Sequence, residues 1–451
     1  MTDCNTDTLT FSSLDRRNVV ADFRGGSLTS DAGLLLLREA DRQLGLTEAI
    51  NACIPDPRHP FFICHQQRHM LAQRLYAIAL GYEDLNDHAG LRVDPLMQVA
   101  TQRGVDPELP LASTSTLHRL ENRIERQSLV DINQRFVEIF IASFKGKEPP
   151  RELILDFDAT DDPIHGQQER RFYHGYYKEY CFLPLYVFCG DQLLTAYLRP
   201  SNIDPSLHAW AILSLLVKRF RQVWPDAKVI FRGDGGFCRW RMLRWCDRHQ
   251  VGYIVGLPTN VVLTRNAQPW TFQAQEQFAI SSEKQRIFGE FLYAARTWDK
   301  LRRVIVKAEY LPDGPNTRFV LTSLEGLPQA LYDESYCARG EMENRIKEQQ
   351  LGLFADRTSC QHFLANQFRV LLSAAAYVLL EHIRRVGLAG TALACAQVST
   401  IRVKLLKLGA RVVASARRIV LHLPTAMPLR ELFATVLGRL LATPAGAIPS
   451  G

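Results

Sequence analysis

Hydrophobic positions change their spacing part-way along the chain. In the first 150 residues they recur at helical spacing, as at 71–80, which predicts amphipathic helices. From residue 152 onward, short runs of aliphatic and aromatic residues alternate with helical stretches. Gly-Lys-Glu-Pro-Pro at 146–150 has the composition of a linker. The pattern therefore predicts a mostly helical region over 1–150 and an α/β fold after it.

The second part of the chain has a definite order of predicted elements. Three strands come first, at 152–158, 182–189 and 192–198, and a Gly-Asp turn between the last two indicates a hairpin. A helix, a strand, a helix and a strand follow, at 208–224, 228–234, 239–249 and 251–257. Over 258–334 the pattern changes to short strands, at 288–295, 303–310 and 318–323. An all-β insertion is expected there, before helices return at 336–351 and 361–384.

A run of hydroxyl residues at 113–116 marks a helix start in the first part. Such side chains accept hydrogen bonds from the free amides of a first helical turn, so a helix should begin near Thr114. Its polar face carries Arg119 and Arg123, among other basic residues, as a helix lying on DNA does. A helix-turn-helix is one interpretation, and an ordinary capped basic helix is the other.

Composition and charge narrow the class of protein. The 451 residues are 47% hydrophobic and 22% charged, as in globular proteins, and no apolar run approaches the roughly 20 residues of a membrane span. No N-terminal targeting segment is apparent, so a cytoplasmic location is expected. The net charge of +7 equals the excess of basic residues over 401–440 alone. That tail suits phosphate contacts, although a solvated basic surface has the same composition.

Cysteine and histidine usage gives one candidate metal site. The ten cysteines are irregularly dispersed, which is typical of reduced cytosolic thiols. Cys53, His59, Cys64, His65 and His69 carry zinc-ligating atoms but lack a standard ligand spacing. A zinc-dependent scaffold is therefore kept as a minor alternative.

Two aspartates end predicted strands, and a glutamate lies on a later helix. Asp158 ends one strand, and Asp234 ends another within Arg-Gly-Asp-Gly-Gly-Phe, whose glycines permit tight turning. Tyr336, Arg339 and Glu343 are spaced to share one helix face, which favours Glu343 over its acidic neighbours. A simple surface ion pair between Arg339 and Glu343 would give the same spacing.

Three converging carboxylates suit one kind of chemistry. Hard divalent cations prefer carboxylate oxygen, and two ions held about 4 Å apart can activate the attacking oxygen and stabilise the departing one in phosphodiester chemistry. No Gly-Lys-Ser/Thr phosphate loop is present, so nucleotide hydrolysis has no support. Asp158, Asp234 and Glu343 are thus the candidate catalytic and metal-binding residues. Asp156, two residues before Asp158 on the same strand face, is an alternative ligand.

The run Tyr336-x2-Arg339-x3-Glu343 resembles the tyrosine, arginine, glutamate signature of DDE transposases from bacterial insertion sequences, a group that includes enzymes excising DNA through hairpin ends. Residues 158–160, Asp-Ala-Thr, resemble the first-aspartate motif of that family, and residues 233–237 resemble the second.

The resemblance is broad. It extends over about 153–377, and the segments 28–33 and 115–122 are similar to one branch of these elements. The separations between the three acidic residues, 76 and 109, suit a version with a β insertion before the glutamate.

The resemblance implies a fold and a layout. It implies an RNase H-like core over 151–257 and 335–385, with the two aspartates on adjacent central strands and the glutamate on a following helix. The β-strand insertion would occupy 258–334, the N-terminal DNA-binding region 1–150 and a basic region 386–451.

The resemblance also implies function. The protein would bind the terminal inverted repeats of its own element and target DNA, as a homodimer in the bacterial nucleoid, and use two Mg²⁺ ions, for which Mn²⁺ can substitute. Tyr336, Arg339 and Lys347 would contact DNA, as would Arg119 and Arg123 of the N-terminal helix. Trp298 of the insertion, and less so Trp270, would stack on a flipped base.

One departure from the family signature affects the reaction path. The signature ends with a lysine seven residues after the glutamate, where this chain has Gln350, and Lys347 is the expected replacement. Hairpin formation is therefore left open. Two further functional alternatives remain, a non-catalytic DNA-binding protein descended from a transposase and an RNase H-like nuclease without strand transfer.

Overall fold

A computed structural model describes residues 8–102, 104–106 and 108–442. These residues form two compact units, the first from 8–51, 56–120 and 382–442 and the second from 52–55 and 121–381. Cys4 and residues 443–451 of the predicted basic region lie outside the described residues. Each unit is described by itself.

The first unit consists of short helices and small antiparallel ribbons. Its helices include α1 (Leu34–Leu44), α2 (Leu46–Ala52), α3 (Gln67–Leu80), α4 (His88–Leu91), α5 (Pro95–Ala100), α6 (Thr114–Asn122), α15 (Val398–Ile401) and α16 (Arg430–Ala442). Its strands are β1 (Thr8–Leu14), β2 (Arg17–Asp22), β3 (Leu28–Thr29), β15 (Ala410–Ala414) and β16 (Ile419–His422). The helix predicted to begin near Thr114 begins there.

Residues 28–33 join the amino- and carboxyl-terminal parts of this unit. β3 pairs with β15, and Asp31 accepts a hydrogen bond from the Tyr82 hydroxyl at 2.7 Å and pairs with Lys407 at 2.7 Å. A Cβ at Gly33 would lie 2.0 Å from the Leu405 carbonyl oxygen, so only glycine fits there. The segment that resembles a transposase branch is therefore a packing junction.

The basic tail serves the fold as well as the surface. The Arg402 guanidinium donates to the Ala79 carbonyl at 3.0 Å and its side chain covers Gly81, while Arg439 donates to the Gly387 carbonyl at 2.9 Å. Lys407 is engaged by Asp31. The remaining basic residues of the tail are exposed: Lys404, Arg411, Arg417, Arg418 and Arg430. The positive surface is thus smaller than the tail's net charge indicates.

The second unit is built on one mixed eight-stranded sheet. Its strands are β4 (Glu152–Ala159), β8 (Leu185–Cys189), β9 (Gln192–Tyr197), β10 (Lys228–Gly233), β11 (Gly252–Leu257), β12 (Gln285–Tyr293), β13 (Arg302–Leu311) and β14 (Gly314–Thr322). They lie in the order β12, β13, β14, β11, β10, β4, β8, β9. β10 is parallel to both β4 and β11, and the other pairs are antiparallel. The predicted order of three strands, helix, strand, helix and strand is confirmed.

Helices cover the sheet, and a small second sheet lies in sequence between β4 and the predicted hairpin, which β8 and β9 form. The helices are α7 (Arg126–Ala142), α8 (Ala209–Val223), α9 (Trp240–Arg248), α10 (Val261–Asn266), α11 (Gln268–Ser281), α12 (Pro328–Ala330), α13 (Gly340–Lys347) and α14 (Phe363–His382). The small sheet contains β5 (Asp162–Pro163), β6 (Phe172–His174) and β7 (Glu179–Phe182).

Alternation along the central strands produces two cores. Phe157 and Phe231 face one buried cluster, whereas Ile230 and Ile254 face another that Leu331 and Tyr332 complete. Since residues of a strand alternate between faces, Asp156 and Asp158 lie on the side of the second cluster. The helical segment that carries Tyr336, Arg339 and Glu343 follows Tyr332 directly.

The expectation of an all-β insertion at 258–334 is wrong. Helices α10 and α11 come first, and β14 pairs with β11, so the three strands lengthen the central sheet. The Asn260 side chain caps α10 by accepting from the Leu263 amide at 3.0 Å. In α11 only Ala274 is buried, so no apolar stripe marked it as a helix.

One described helix, Phe363–Gly387, is long and apolar enough to cross a membrane by length and composition. Of its most apolar window 89% is buried inside the fold. The helix expected at 361–384 is therefore confirmed, and its apolar side chains serve the core.

His88 makes the stability of the first unit sensitive to acid. It is fully buried, its Nδ1 accepts from the Gln73 amide at 3.1 Å, and burial, assisted by the charge of Arg74, lowers its pKa to about 3. A lowered pKa favours the neutral ring in the folded state. The resulting stability is present above pH 6.5 and is lost as the pH falls toward 3.

We expect His88→Asn to weaken this acid sensitivity. Between pH 6.5 and 5 the free energy of unfolding should fall by about 1 to 2 kcal/mol more for the wild type than for the variant. The reason is that His88 takes up a proton in the unfolded wild type but stays neutral in the folded one. Thermal unfolding followed by circular dichroism over this pH range measures the difference. Parallel pH profiles for the two proteins would contradict the assignment.

Candidate active site

The two predicted aspartates lie side by side at the ends of adjacent strands. In the parallel pair of β4 and β10, Asp156 is opposite Arg232 and Phe157 is opposite Gly233. Asp158 and Asp234 are the next residues of the two strands. The register therefore places both carboxylates at the carboxyl edge of the sheet, where an α/β fold opens toward ligands.

A tight turn fixes Asp234. Its Oδ1 accepts a hydrogen bond from the Gly236 amide at 2.8 Å, capping the short turn Gly235–Phe237. A Cβ at Gly236 would lie 3.0 Å from the same oxygen, and one at Gly235 would lie 3.3 Å from Pro258. Side chains at these glycines would crowd the carboxylate, which explains the glycine-rich sequence.

Glu343 lies on an irregular helical segment at 328–352. The segment winds as a π-helix over Leu331–Tyr336, as an α-helix over Gly340–Lys347, and again as a π-helix over Glu348–Gly352. π-helical turns are rare in proteins overall, and those that do occur are often found at functional sites. This irregular winding places Arg339 and Glu343 beside the end of β4.

Arg339 connects the helix to the strand. Its Nη2 lies 2.7 Å from Glu343 Oε1, and its Nη1 lies 3.8 Å from Asp158 Oδ1. The arginine and Asp158 side chains are 18% and 15% exposed, whereas Glu343 is 44% exposed. The simple surface pair of Arg339 and Glu343 is therefore only half of the arrangement, because the same guanidinium also faces Asp158.

Burial and neighbouring charges both act on the pKa of Asp158. Burial raises this pKa to about 7; the Arg339 charge opposes the rise, and the charges of Asp234 and Glu343 add to it. Each of the other two carboxylates is thus near enough to disfavour a negative charge on Asp158. The three candidate residues converge on one region.

Tyr336 is inserted against a glycine of the neighbouring strand. A Cβ at Gly256 in β11 would lie 2.7 Å from the Tyr336 hydroxyl oxygen and 2.8 Å from the Gly235 amide. Burial raises the Tyr336 pKa, which the Arg339 charge lowers and the Asp234 charge raises. Tyr336 therefore lies beside both Arg339 and the Asp234 turn. Gly256 is a site residue that sequence reasoning missed, and its signal was a glycine within a buried strand.

Asp156 has a different role from Asp158. It is 2% exposed, and the Arg232 guanidinium binds both its oxygens, with Nη2 at 2.7 Å from Oδ2. Arg232 also donates to the Ser335 carbonyl oxygen, which ties the strand to the helical segment. A carboxylate already neutralised in this way is a poor metal ligand, which favours Asp158. Arg232 was missed because its partner depends on strand register.

Gln350, which stands where the family signature has a lysine, and Lys347, the expected replacement, have different surroundings. Gln350 donates to the Asp161 carbonyl oxygen at 2.8 Å, just beyond β4. Lys347, one turn earlier, is exposed. Gln350 therefore supports the loop after Asp158, and Lys347 is available to a ligand.

Comparison with known families identifies the chain. Residues 11–445 match the family model described as Transposase DDE domain group 1, which is nearly the whole sequence. The chain belongs to this family. The resemblance to DDE transposases is confirmed, and the transposase is expected to carry out metal-dependent phosphodiester chemistry of the general DDE kind.

Solved structures similar to the transposase include one of another transposase. It is the cryo-EM structure of a piggyBac transposase synaptic complex with hairpin DNA, at 10% sequence identity and a TM-score of 0.39, over 92% of this chain and 83% of that chain. A comparison with curated proteins gives no match.

The donor set of the transposase fits divalent metal ions. Asp158, Asp234 and Glu343 supply carboxylate oxygen, the ligand that hard divalent cations prefer. Over the described residues, no three histidine, cysteine, aspartate or glutamate side chains already stand at metal-binding spacing, either here or at 53–69. In the present arrangement, Arg339 supplies the balancing charge.

The tryptophans predicted to meet DNA have partners within the second unit. Trp298 is half-buried, with the Tyr293 ring at 5.4 Å and the Arg302 guanidinium 5.5 Å from its centroid. Trp270 stacks on Phe291 at 6.1 Å and covers Gly289. These contacts do not bring either ring to the carboxylates. Arg119 in α6 is exposed, and Arg123, which follows the end of that helix, is half-buried.

Asp156→Asn should lower the stability of the protein at pH 8, whereas Asp158→Asn should not. Asp156→Asn leaves Arg232 buried without its counter-charge, which costs about 3 to 5 kcal/mol. The Asp158 pKa is raised, so its ionised form destabilises the folded protein above pH 7, and asparagine removes that cost. The melting temperature should therefore fall for the first variant and stay level or rise for the second. Equal losses would contradict the distinction.

Proposed function

We propose that this transposase excises and inserts its own DNA element by a cut-and-paste reaction. It would bind the terminal inverted repeats, cleave them in a metal-dependent step and join the released ends to target DNA. The observation that carries the proposal is the contact of Arg339 with both Asp158 and Glu343, which lie 185 residues apart in sequence.

Asp158, Asp234 and Glu343 are proposed to hold two Mg²⁺ ions, with Mn²⁺ as a substitute. When bound, such ions activate the attacking oxygen, first of water and later of a 3′ hydroxyl, and stabilise the leaving oxygen. The carboxylates fix the position of this chemistry at the edge of the sheet. The Asp234 turn is stiff, since its carboxylate is bound to the Gly236 amide.

Helical-segment side chains are proposed to position the DNA strand. Arg339 would give bidentate hydrogen bonds to a phosphate near the cut, and Tyr336 would lie beside it. Lys347 would add a second positive charge, which its exposure supports, because Gln350 is engaged with the Asp161 carbonyl. A hairpin intermediate is one possible path for the released strand.

We also propose a function for each region of the chain. An RNase H-like core would span 151–257 and 335–385, an interpretation supported by the neighbouring positions of β4 and β10. The inserted region at 258–334 would bring Trp298 toward a flipped base. DNA would be bound by the region 1–150, through Arg119 and Arg123, and by the basic residues of the region 386–451. We further propose a homodimer on DNA, acting in the cytoplasm at the nucleoid.

Cleavage of element ends tests the proposal. DNA fragments carrying each flank of the coding sequence should be cut by the wild-type protein with Mg²⁺, and EDTA should abolish cutting. Asp234→Asn and Glu343→Gln should reduce the rate at least 100-fold, because each removes one carboxylate ligand. Gel analysis of end-labelled DNA gives the rates.

Glu341→Gln is the matched control for Glu343→Gln. Its side chain is 72% exposed on the same helix and pairs only distantly with Arg345, at 3.9 Å, so cutting should stay within about threefold of wild type. Binding without cutting by the wild type would support a non-catalytic protein. Cutting without joining to a supercoiled target plasmid would support a nuclease. Equal cutting by wild type and Asp234→Asn would reject the site.

A further inference from the structure

The Arg339 guanidinium lies where the candidate metal ligands face one another. It contacts Glu343 at 2.7 Å and Asp158 at 3.8 Å, and its side chain is only 18% exposed. Burial lowers its pKa, but the charges of Asp158 and Glu343 outweigh burial and raise it. Arginine keeps its charge under all ordinary conditions. Arg339 therefore acts as a built-in cation for carboxylates that would otherwise repel one another.

A metal ion and Arg339 would compete for the same oxygens. Glu343 Oε1 is at hydrogen-bond distance from the guanidinium, so that oxygen is occupied while the contact lasts. A second cation brought into this region also meets the charge of the arginine. While the contact lasts, Arg339 therefore occupies an oxygen that a bound dication would use.

The contacts of Arg339 with Asp158 and Glu343 are weaker than those of a buried ion pair. The 3.8 Å approach to Asp158 is an ion pair without hydrogen-bond geometry, and Glu343 is 44% exposed to solvent. Arg232 differs in every respect, since it is buried and binds both oxygens of Asp156. A phosphodiester group offers two non-bridging oxygens to the planar fork of the Arg339 guanidinium, which a single carboxylate contact at 2.7 Å does not match.

We propose that Arg339 is a latch that couples DNA binding to metal binding. In the DNA-free protein it holds Asp158 and Glu343 and keeps metal affinity low. When a DNA phosphate takes the guanidinium, both carboxylates become free to bind metal. Because coupling between two ligands is reciprocal, metal then strengthens DNA binding by the same factor. The inference rests on the proposed metal-binding role of the three carboxylates.

Metal binding to the DNA-free protein tests the latch without any reaction. Mn²⁺ titrations followed by the electron paramagnetic resonance signal of the free ion would compare the wild type with Arg339→Gln. The variant should bind Mn²⁺ about tenfold more tightly, within the usual range of coupling between sites. Arg286→Gln is the control. Arg286 lies in β12 and pairs at 2.5 Å with Asp333, a residue of the helical segment that carries Arg339. Loss of this positive charge should change the Mn²⁺ affinity less than twofold.

The second arm adds a saturating DNA duplex, with saturation verified by fluorescence anisotropy for each protein. DNA should tighten Mn²⁺ binding about tenfold in the wild type and less than twofold in Arg339→Gln, where the latch is already open. Arg339→Lys, which keeps the charge but loses the fork, repeats both arms if the glutamine variant does not fold, and should lie between the two. Unchanged Mn²⁺ affinity in both arginine variants, or full DNA enhancement in them, overturns the latch.

Carboxylate variants separate failure of the latch from failure of the site. If Glu343→Gln and Asp234→Asn abolish Mn²⁺ binding while Arg339→Gln matches the wild type, the metal site stands and the latch is wrong. If neither carboxylate variant alters Mn²⁺ binding, the proposed site itself is wrong, and the latch falls with it.

Discussion

Repulsion between carboxylates is the constraint around which the site is built. Strand register sets Asp158 and Asp234 at neighbouring strand ends, and the following helix adds Glu343. Burial first, and then the charges of Asp234 and Glu343, raise the pKa of Asp158 to about 7, and the charge of Arg339 opposes the rise. The site thus places carboxylate oxygens and a guanidinium side by side at the edge of the sheet.

The contrast between Asp156 and Asp158 shows how two residues on one strand face acquire separate roles. Asp156 lies within the sheet, opposite Arg232, and its charge is neutralised by a buried partner that also ties the strand to the helical segment. Asp158 lies at the end of the strand, where its partner Arg339 is held more loosely. One pair supports the framework, and the other leaves a carboxylate available. The position along the strand, within the sheet or two residues later at its end, therefore separates the two roles.

Much of this arrangement could be predicted from local patterns. Alternating strands, the glycines around Asp234 and the spacing of Tyr336, Arg339 and Glu343 all act over a few residues, and the sequence displays them directly. The missed features depend on distant partners. Arg232 meets Asp156 only through register, and Gly256 matters because Tyr336 packs on it. The helix α11 was missed because it buries one residue and so leaves no periodic trace.

The central claim is that three distant segments meet at one metal position, and iron-directed cleavage of the polypeptide tests it most directly. Fe²⁺ bound in place of Mg²⁺, with ascorbate and peroxide, generates radicals that cut the nearest backbone. The account predicts cuts near residues 158, 234 and 343 together, suppressed by excess Mg²⁺ and absent in Asp234→Asn. Cuts confined to one segment, or to the region 53–69, would contradict it.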